Sequence, residues 1–117
     1  MFLGTLDPAS NRATWSESFE LTDSETGDPI SLSAVDEITL EVRDMETQSA
    51  VLSGTKTGGD IVVVGAATDG TFQWRFEASQ MRALKAKTFE VGCVIEQDDD
   101  TVQIFIGYLP VLDGIVT

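Results

Sequence analysis

The chain has 117 residues, 42% of them hydrophobic, which suits one domain with one core and leaves too little for two. Twenty acidic residues against seven basic give a formal net charge of −13, and such a surface repels phosphate backbones and anionic headgroups, so neither nucleic acid nor membrane is expected as a direct partner. With no histidine and one cysteine, Cys93, the chain has no internal disulfide, no Ser-His-Asp or Cys-His machinery and none of the usual zinc sites. The first thirty residues lack the basic start, apolar run and small-residue cleavage site of a secretory signal, and no apolar run reaches membrane-spanning length. The expectation is an untargeted soluble protein.

In chain order, residues 1–11 hold a short apolar piece, FLGTL, and a DPASN turn cluster, an arm that either adds a strand or hangs free. Residues 13–22 place Trp15, Phe19 and Leu21 on one side with Glu17 interrupting the row, which suggests an edge strand or a bulge. Turn formers at 23–29 (DSETGDP) lead to a short apolar piece at 30–32. Ile38, Leu40 and Val42 alternate with Thr39, Glu41 and Arg43, one strand with one buried face. A turn at 44–48, a short strand at 50–53 and an apolar run at 61–64 follow, with Gly58-Gly59 read as a hairpin turn instead of a phosphate loop. Phe72, Trp74 and Phe76 then form an aromatic row of period two, as a sheet core requires. The one helical candidate is 79–84, with Ser79 as cap and Met81 and Leu84 facing inward.

Residues 89–108 read as two strands folded back around an acidic turn. Phe89, Val91, Cys93 and Ile95 form one apolar row, and Val102, Ile104, Ile106 and Tyr108 the other. The first row is odd-numbered and the second even, so both share a face only if partners sum to an odd number, which calls for a two- or four-residue loop within 97–101. Phe105 then falls on the outer face with Val94 nearby, an exposed apolar pair that signals a protein contact or a second covered sheet, unless Phe105 simply covers a glycine. Seven or eight short strands between Gly-, Asp- and Thr-rich turns describe an antiparallel β-sandwich with one short helix, or a small barrel. Trp15, Phe19, Ile38, Leu40, Phe72, Trp74, Val91, Cys93 and Ile104 are expected in its core.

Candidate chemistry is sparse. Asp23, Glu25 and Asp28 form one acidic cluster and Asp98, Asp99 and Asp100 another, but neither has the spacing of a calcium loop, and solvated turns are the better reading. Trp15 and Trp74 would make a carbohydrate platform only if exposed, and their phase with apolar neighbours places them inside. No catalytic, cofactor-binding or metal-binding residue is assigned. The apolar chain ends, residues 2–6 and 109–116, either pair within their own domain or meet a partner by strand addition or apolar packing, and Pro110 favours a sheet edge for the second segment. The candidate partner contacts are therefore Phe2, Leu3, Leu6, Val94, Phe105, Leu109, Val111 and Leu112.

The succession SFELTDSETGDPISLSAVDEITLEVRD, TFQWRFEAS, QMRAL and KAKTFEVGCVIEQDDDTVQIFIGYLPV resembles the small β-sandwich domain of tailed-phage structural proteins. It is most similar to the immunoglobulin-like N-terminal domain of phage upper baseplate proteins and their short stand-alone prophage relatives. Gly27, Pro29 and Leu32 match that family's G-x-P-x-x-L segment, while Ala86, Lys87, Thr88 and Phe89 stand where the family has Gly-Tyr before its final hairpin. The resemblance implies an immunoglobulin-like sandwich and a non-catalytic, cofactor-free virion module of the tail or baseplate. Such a module would be made in the host bacterial cytoplasm, be homo-oligomeric or multi-copy in the particle, and act on other virion proteins. An immunoglobulin-like adhesin or carbohydrate-binding module is the other reading.

Overall fold

The computed structural model of the chain describes residues 2–22, 26–98 and 100–113, and of residues 2 and 3 the backbone alone. Among the described residues, nine strands build two sheets. The larger has the order β1 (Phe2–Thr5), β9 (Asp100–Leu112), β8 (Thr88–Gln97), β4 (Glu37–Arg43), β5 (Ala50–Thr55), with β2 (Ala9–Ser10) also paired to β9. The smaller has the order β3 (Trp15–Glu20), β7 (Thr71–Phe76), β6 (Ile61–Val63). The chain is thus the expected all-β sandwich, antiparallel except where the N-terminal arm runs parallel to β9.

Period-two patterning sets the inner faces. Ile38, Leu40 and Val42 of β4, Phe72, Trp74 and Phe76 of β7, and Phe89, Val91 and Cys93 of β8 are all buried, while Gln73 and Arg75 between them are exposed. Of the expected core, only Phe19 is half-buried; it packs against the core from β3. That strand is an edge, as the interrupted row suggests, since it pairs with β7 alone. Aromatic rings join the two sheets. Phe105 of β9 lies 5.1 Å from the Phe19 ring and 5.8 Å from that of Trp74, which in turn sits 5.7 Å from Trp15.

The segment at 30–32 is not a strand. Only an isolated bridge joins Thr22 to Pro29, and Leu32 serves as a core side chain whose N–H reaches the Ala67 carbonyl. The helix is shorter than expected and begins earlier. It is α1 (Ala78–Met81), with Glu77 in place of Ser79 at its N-cap and the Gln80 side chain accepting the Glu77 N–H. Met81 and Leu84 are buried as the spacing requires.

The hairpin of β8 and β9 departs most from the sequence pattern. Gln97 pairs with Asp100, so the loop has two residues, and Asp98 takes φ +56° there. From the turn to Val94–Gln103 the partners sum to an odd number, as expected; from Cys93–Phe105 onward the sum is even. A β-bulge at Ile104 inserts one unpaired residue and reverses the parity of β9. Ile104 and Phe105 are consequently both buried, followed by Leu109 and Val111, whereas Val102 and Tyr108, expected inside, are exposed and Ile106 is half-exposed. The Gln103 amide completes the bulge: its Nε2 donates to Cys93 O at 3.0 Å and to Phe105 O at 2.8 Å, satisfying two carbonyls of the disturbed ladder.

The N-terminal arm folds back on β9, the last strand, in two places. β1 pairs with Phe105 through Tyr108, and β2 with Val111 and Leu112. Pro110 falls in the gap between these two pairings, where the arm leaves the sheet at residues 6–8, so its missing N–H deprives no partner. β9 is accordingly an interior strand and not the edge that Pro110 suggested. The buried Asn11 fastens the arrangement, its Nδ2 donating to Leu84 O at 3.1 Å and to Asp113 Oδ1 at 2.7 Å. Lys87, whose carbonyl accepts the Val111 N–H, has its Nζ 2.6 Å from Asp44 Oδ2 and 5.6 Å over the Phe89 ring.

Candidate functional site

The structure sorts the expected contact residues into three groups. Phe105, Leu109 and Val111 are 0 to 2% exposed and belong to the core, a correction that follows from the parity change at the bulge. Val94 and Phe105, expected side by side, lie on opposite faces, because Val94 pairs with Gln103 above the bulge and Phe105 with Cys93 below it. Leu6 is half-buried and packs on the core, while Leu112 is 57% exposed. The side chains of Phe2 and Leu3, and residues 114–116, lie outside what the structure describes; the backbone of Phe2 and Leu3 pairs within the chain.

The outward side chains of the two sheets differ in kind. On the smaller sheet they are Ser16, Ser18 and Glu20 of β3, Thr71, Gln73 and Arg75 of β7, and Val62 of β6, a mostly polar and electrically balanced face. On the larger sheet β9 turns Ile106, Tyr108, Pro110 and Leu112 outward, with Val94 of β8 beside them. Tyr108 is 44% exposed. β9 is therefore apolar on both faces beyond the bulge, one row in the core and one outside, where Tyr108 and Leu112 are exposed and Ile106 and Pro110 half-buried. Ile106 and Tyr108 were assigned to the core by alternation. The available signal was the run IFIGYLPVL, in which both phases are apolar and alternation cannot assign a face.

Next to this row the outer face sinks over Gly92 into an open depression of about 260 Å3. Gly92 supplies the floor because it has no side chain; a Cβ there would meet Gln103 Nε2 at 3.4 Å. Glu41 and Arg43 of β4 and Glu90 of β8 stand around it. Arg43 donates from both Nε and Nη2 to Glu41 Oε1, at 3.1 and 2.6 Å, and this contact raises the guanidinium pKa above its usual value. The second Glu41 oxygen takes no part in that pair, and Glu90 enters no ion pair among the described residues. The alternating pattern of β4 and β8 puts these carboxylates on the solvent side, so the same periodicity that buries Leu40 and Val91 exposes Glu41 and Glu90.

Elsewhere the groups capable of chemistry are occupied or isolated. Cys93 is fully buried, and burial pushes its thiol up to about 12, far from a reactive thiolate. Trp15 and Trp74 are in the core as expected, not on a surface platform, and among the described residues the N–H of neither finds a hydrogen-bond partner. Asp98 and Asp100 are exposed at the hairpin turn, with the Asp98 N–H donating to Asp36 Oδ2 at 3.0 Å, and Asp28 is exposed in its own loop. Asp23, Glu25 and Asp99 lie outside the described residues. Among the described residues no three His, Cys, Asp or Glu converge as a metal site.

No family model matches the chain, and no curated protein matches it. Among solved structures, the endo-β-1,4-mannanase of Thermotoga petrophila is similar over 93% of this chain at 12% identity, with a TM-score of 0.57. The match takes up 18% of the mannanase chain, so this chain corresponds in length to a minor part of that protein. At that identity the likeness is one of fold, a β-sandwich of the same build.

Proposed function

We propose that the chain is a non-catalytic docking module of a phage or prophage particle, of the tail or baseplate, produced in the bacterial cytoplasm and present in several copies among other virion proteins. One observation carries the docking part of this reading, the apolar row Ile106, Tyr108, Pro110 and Leu112 on the outer face of β9, half-buried at Ile106 and Pro110 and exposed at Tyr108 and Leu112. An apolar row of this length on a sheet face is what a protein contact buries. The particle part rests on the resemblance of the sequence to tailed-phage β-sandwich domains. It has a direct test: particles purified from a strain that carries the gene are analysed by quantitative mass spectrometry. The chain is expected at a fixed ratio to the tail proteins, and intact particles that lack it would end this reading.

Carbohydrate binding is the second reading, favoured by the depression over Gly92 with its hydrogen-bonding rim of Glu41, Arg43 and Gln103 and by the fold likeness to part of a mannanase. Calorimetric titration with β-1,4-mannohexaose distinguishes the two. Heat of binding that disappears in a Glu90→Ala variant would favour the sugar.

A further inference from the structure

The kind of partner is written in the charges beside the apolar row. Resting on the docking reading, we infer that the outer face of the larger sheet receives a basic protein surface, which seats a lysine or arginine side chain over Gly92 between Glu41 and Glu90 while its apolar part covers Ile106 and Tyr108.

The geometry provides an anchor pocket beside an apolar stripe, the arrangement in which a few central side chains hold an interface. Gly92 leaves room at the floor, and Glu90 is the cross-strand partner of Tyr108 on one side and of Arg43 on the other. Arg43 is held by one oxygen of Glu41, so Glu90 and the other Glu41 oxygen remain as acceptors for an incoming cation. Along the same face, Glu37 and Glu96 extend the negative potential, so that four carboxylates, Glu37, Glu41, Glu90 and Glu96, face one guanidinium.

This charge balance separates the possible occupants. A nucleic acid or an anionic headgroup would be repelled. A second copy of the chain carries its own charge of −13 and presents the same four carboxylates against one guanidinium, so the two faces would repel each other. A neutral sugar would use the polar rim but leave Pro110 and Leu112 uncovered, and the Gln103 amide nitrogen is already committed to two backbone carbonyls. A basic protein surface satisfies both the carboxylates and the apolar row, and opposite charge speeds its approach.

The test places the photo-crosslinking residue p-benzoylphenylalanine at position 108, or at position 62 on the outer face of the smaller sheet as a control, in cells that make particles. Position 108 is expected to join a different virion protein, at a peptide with a lysine or arginine adjoining the cross-link, and position 62 to give no such product. Adding Glu90→Lys should cut the position-108 product about tenfold, and Glu90→Gln, which sets no like charge opposite Arg43, should give an intermediate yield with the melting temperature unchanged. Cross-links from 62 but not 108, cross-links between two copies of this chain, or a product indifferent to Glu90→Lys would each overturn the inference while leaving the docking module in the particle. Absence of the chain from particles would instead remove the docking reading and this inference with it.

Discussion

Cys93 and Glu17 show how position within a row decides what a polar group does. Cys93 faces inward at the centre of β8, and burial raises its thiol from an ordinary value of 9.0 to about 12. A thiol that ionises more readily in the unfolded chain adds stability that is complete below pH 9 and is lost as the pH rises toward 12. Cys93→Ala should therefore cost about 1–2 kcal/mol at pH 7 through the small cavity it leaves, yet show a flatter alkaline loss of stability than the parent. Urea unfolding at pH 7 and pH 10 reads this directly, and equal alkaline slopes would show that the thiolate forms within the folded chain. Glu17 also faces inward, but from the edge strand β3, where it is half-buried opposite Trp74. Burial, and then the nearby Asp7 carboxylate, raise its pKa; the Trp15 indole opposes this weakly, being close enough to be felt without forming a hydrogen bond of good geometry. A carboxyl with a raised folded pKa penalises the fold while ionised and ceases to do so once protonated. Glu17→Gln should thus stabilise the chain at pH 7 by roughly a few tenths of a kcal/mol after solvent screening, with the gain shrinking as acid neutralises the parent. The penalty has a use, because a charge turned inward on an edge strand discourages pairing with another chain.

At the scale of elements, the hairpin of β8 and β9 is where one unpaired residue, Ile104, redirects a whole strand. If the Gln103 amide is what stabilises the bulge, Gln103→Ala should strip Cys93 O and Phe105 O of a donor and cost about 1–3 kcal/mol in chemical denaturation. Gln97→Ala, exposed on the same hairpin beside its turn, should be nearly neutral; equal effects would mean that water replaces the Gln103 amide without cost. The bulge also explains which parts of the fold were legible. β4, β7 and the inner face of β8 alternate cleanly between apolar and polar residues, and their faces could be read directly. In β9 both phases are apolar after Gln103, so the pattern fits either face and the parity set near the turn was carried too far. Phe105, Leu109 and Val111 share odd parity against the even Ile104, a change of phase visible in the sequence, but its cause is the aromatic contact of Phe105 with Phe19 and Trp74 on another sheet. No local pattern encodes that contact. The outer row of Ile106 and Tyr108 was missed for the same reason, and with it the depression beside Gly92.

At the scale of the molecule, the N-terminal arm decides whether β9 is an interior strand or an open edge. β1 covers Phe105 to Tyr108, the Leu6 N–H donates to Tyr108 O at 2.8 Å, and the Leu6 side chain packs on the core. If the apolar segment at residues 2–6 served only as a contact between subunits, removing residues 1–6 would leave the domain intact. With the arm paired inside its own chain, the truncation should instead lower stability by about 1 kcal/mol from the half-buried Leu6 alone and expose the ladder groups of β9. An open strand bordered by apolar side chains recruits another copy, but the net charge of −13 holds copies apart until salt screens it. Sedimentation of the truncated chain should therefore show self-association that grows with ionic strength, while the full chain stays monomeric under the same conditions. Gly107→Ala offers the same test without shortening the chain, since a methyl there meets the Gly4 carbonyl oxygen at 3.2 Å and should loosen β1 from β9. A truncated chain that keeps its melting temperature and stays monomeric at high salt would show that β1 is dispensable. The cover of β9 would then have to come from a partner, as the apolar chain ends first suggested.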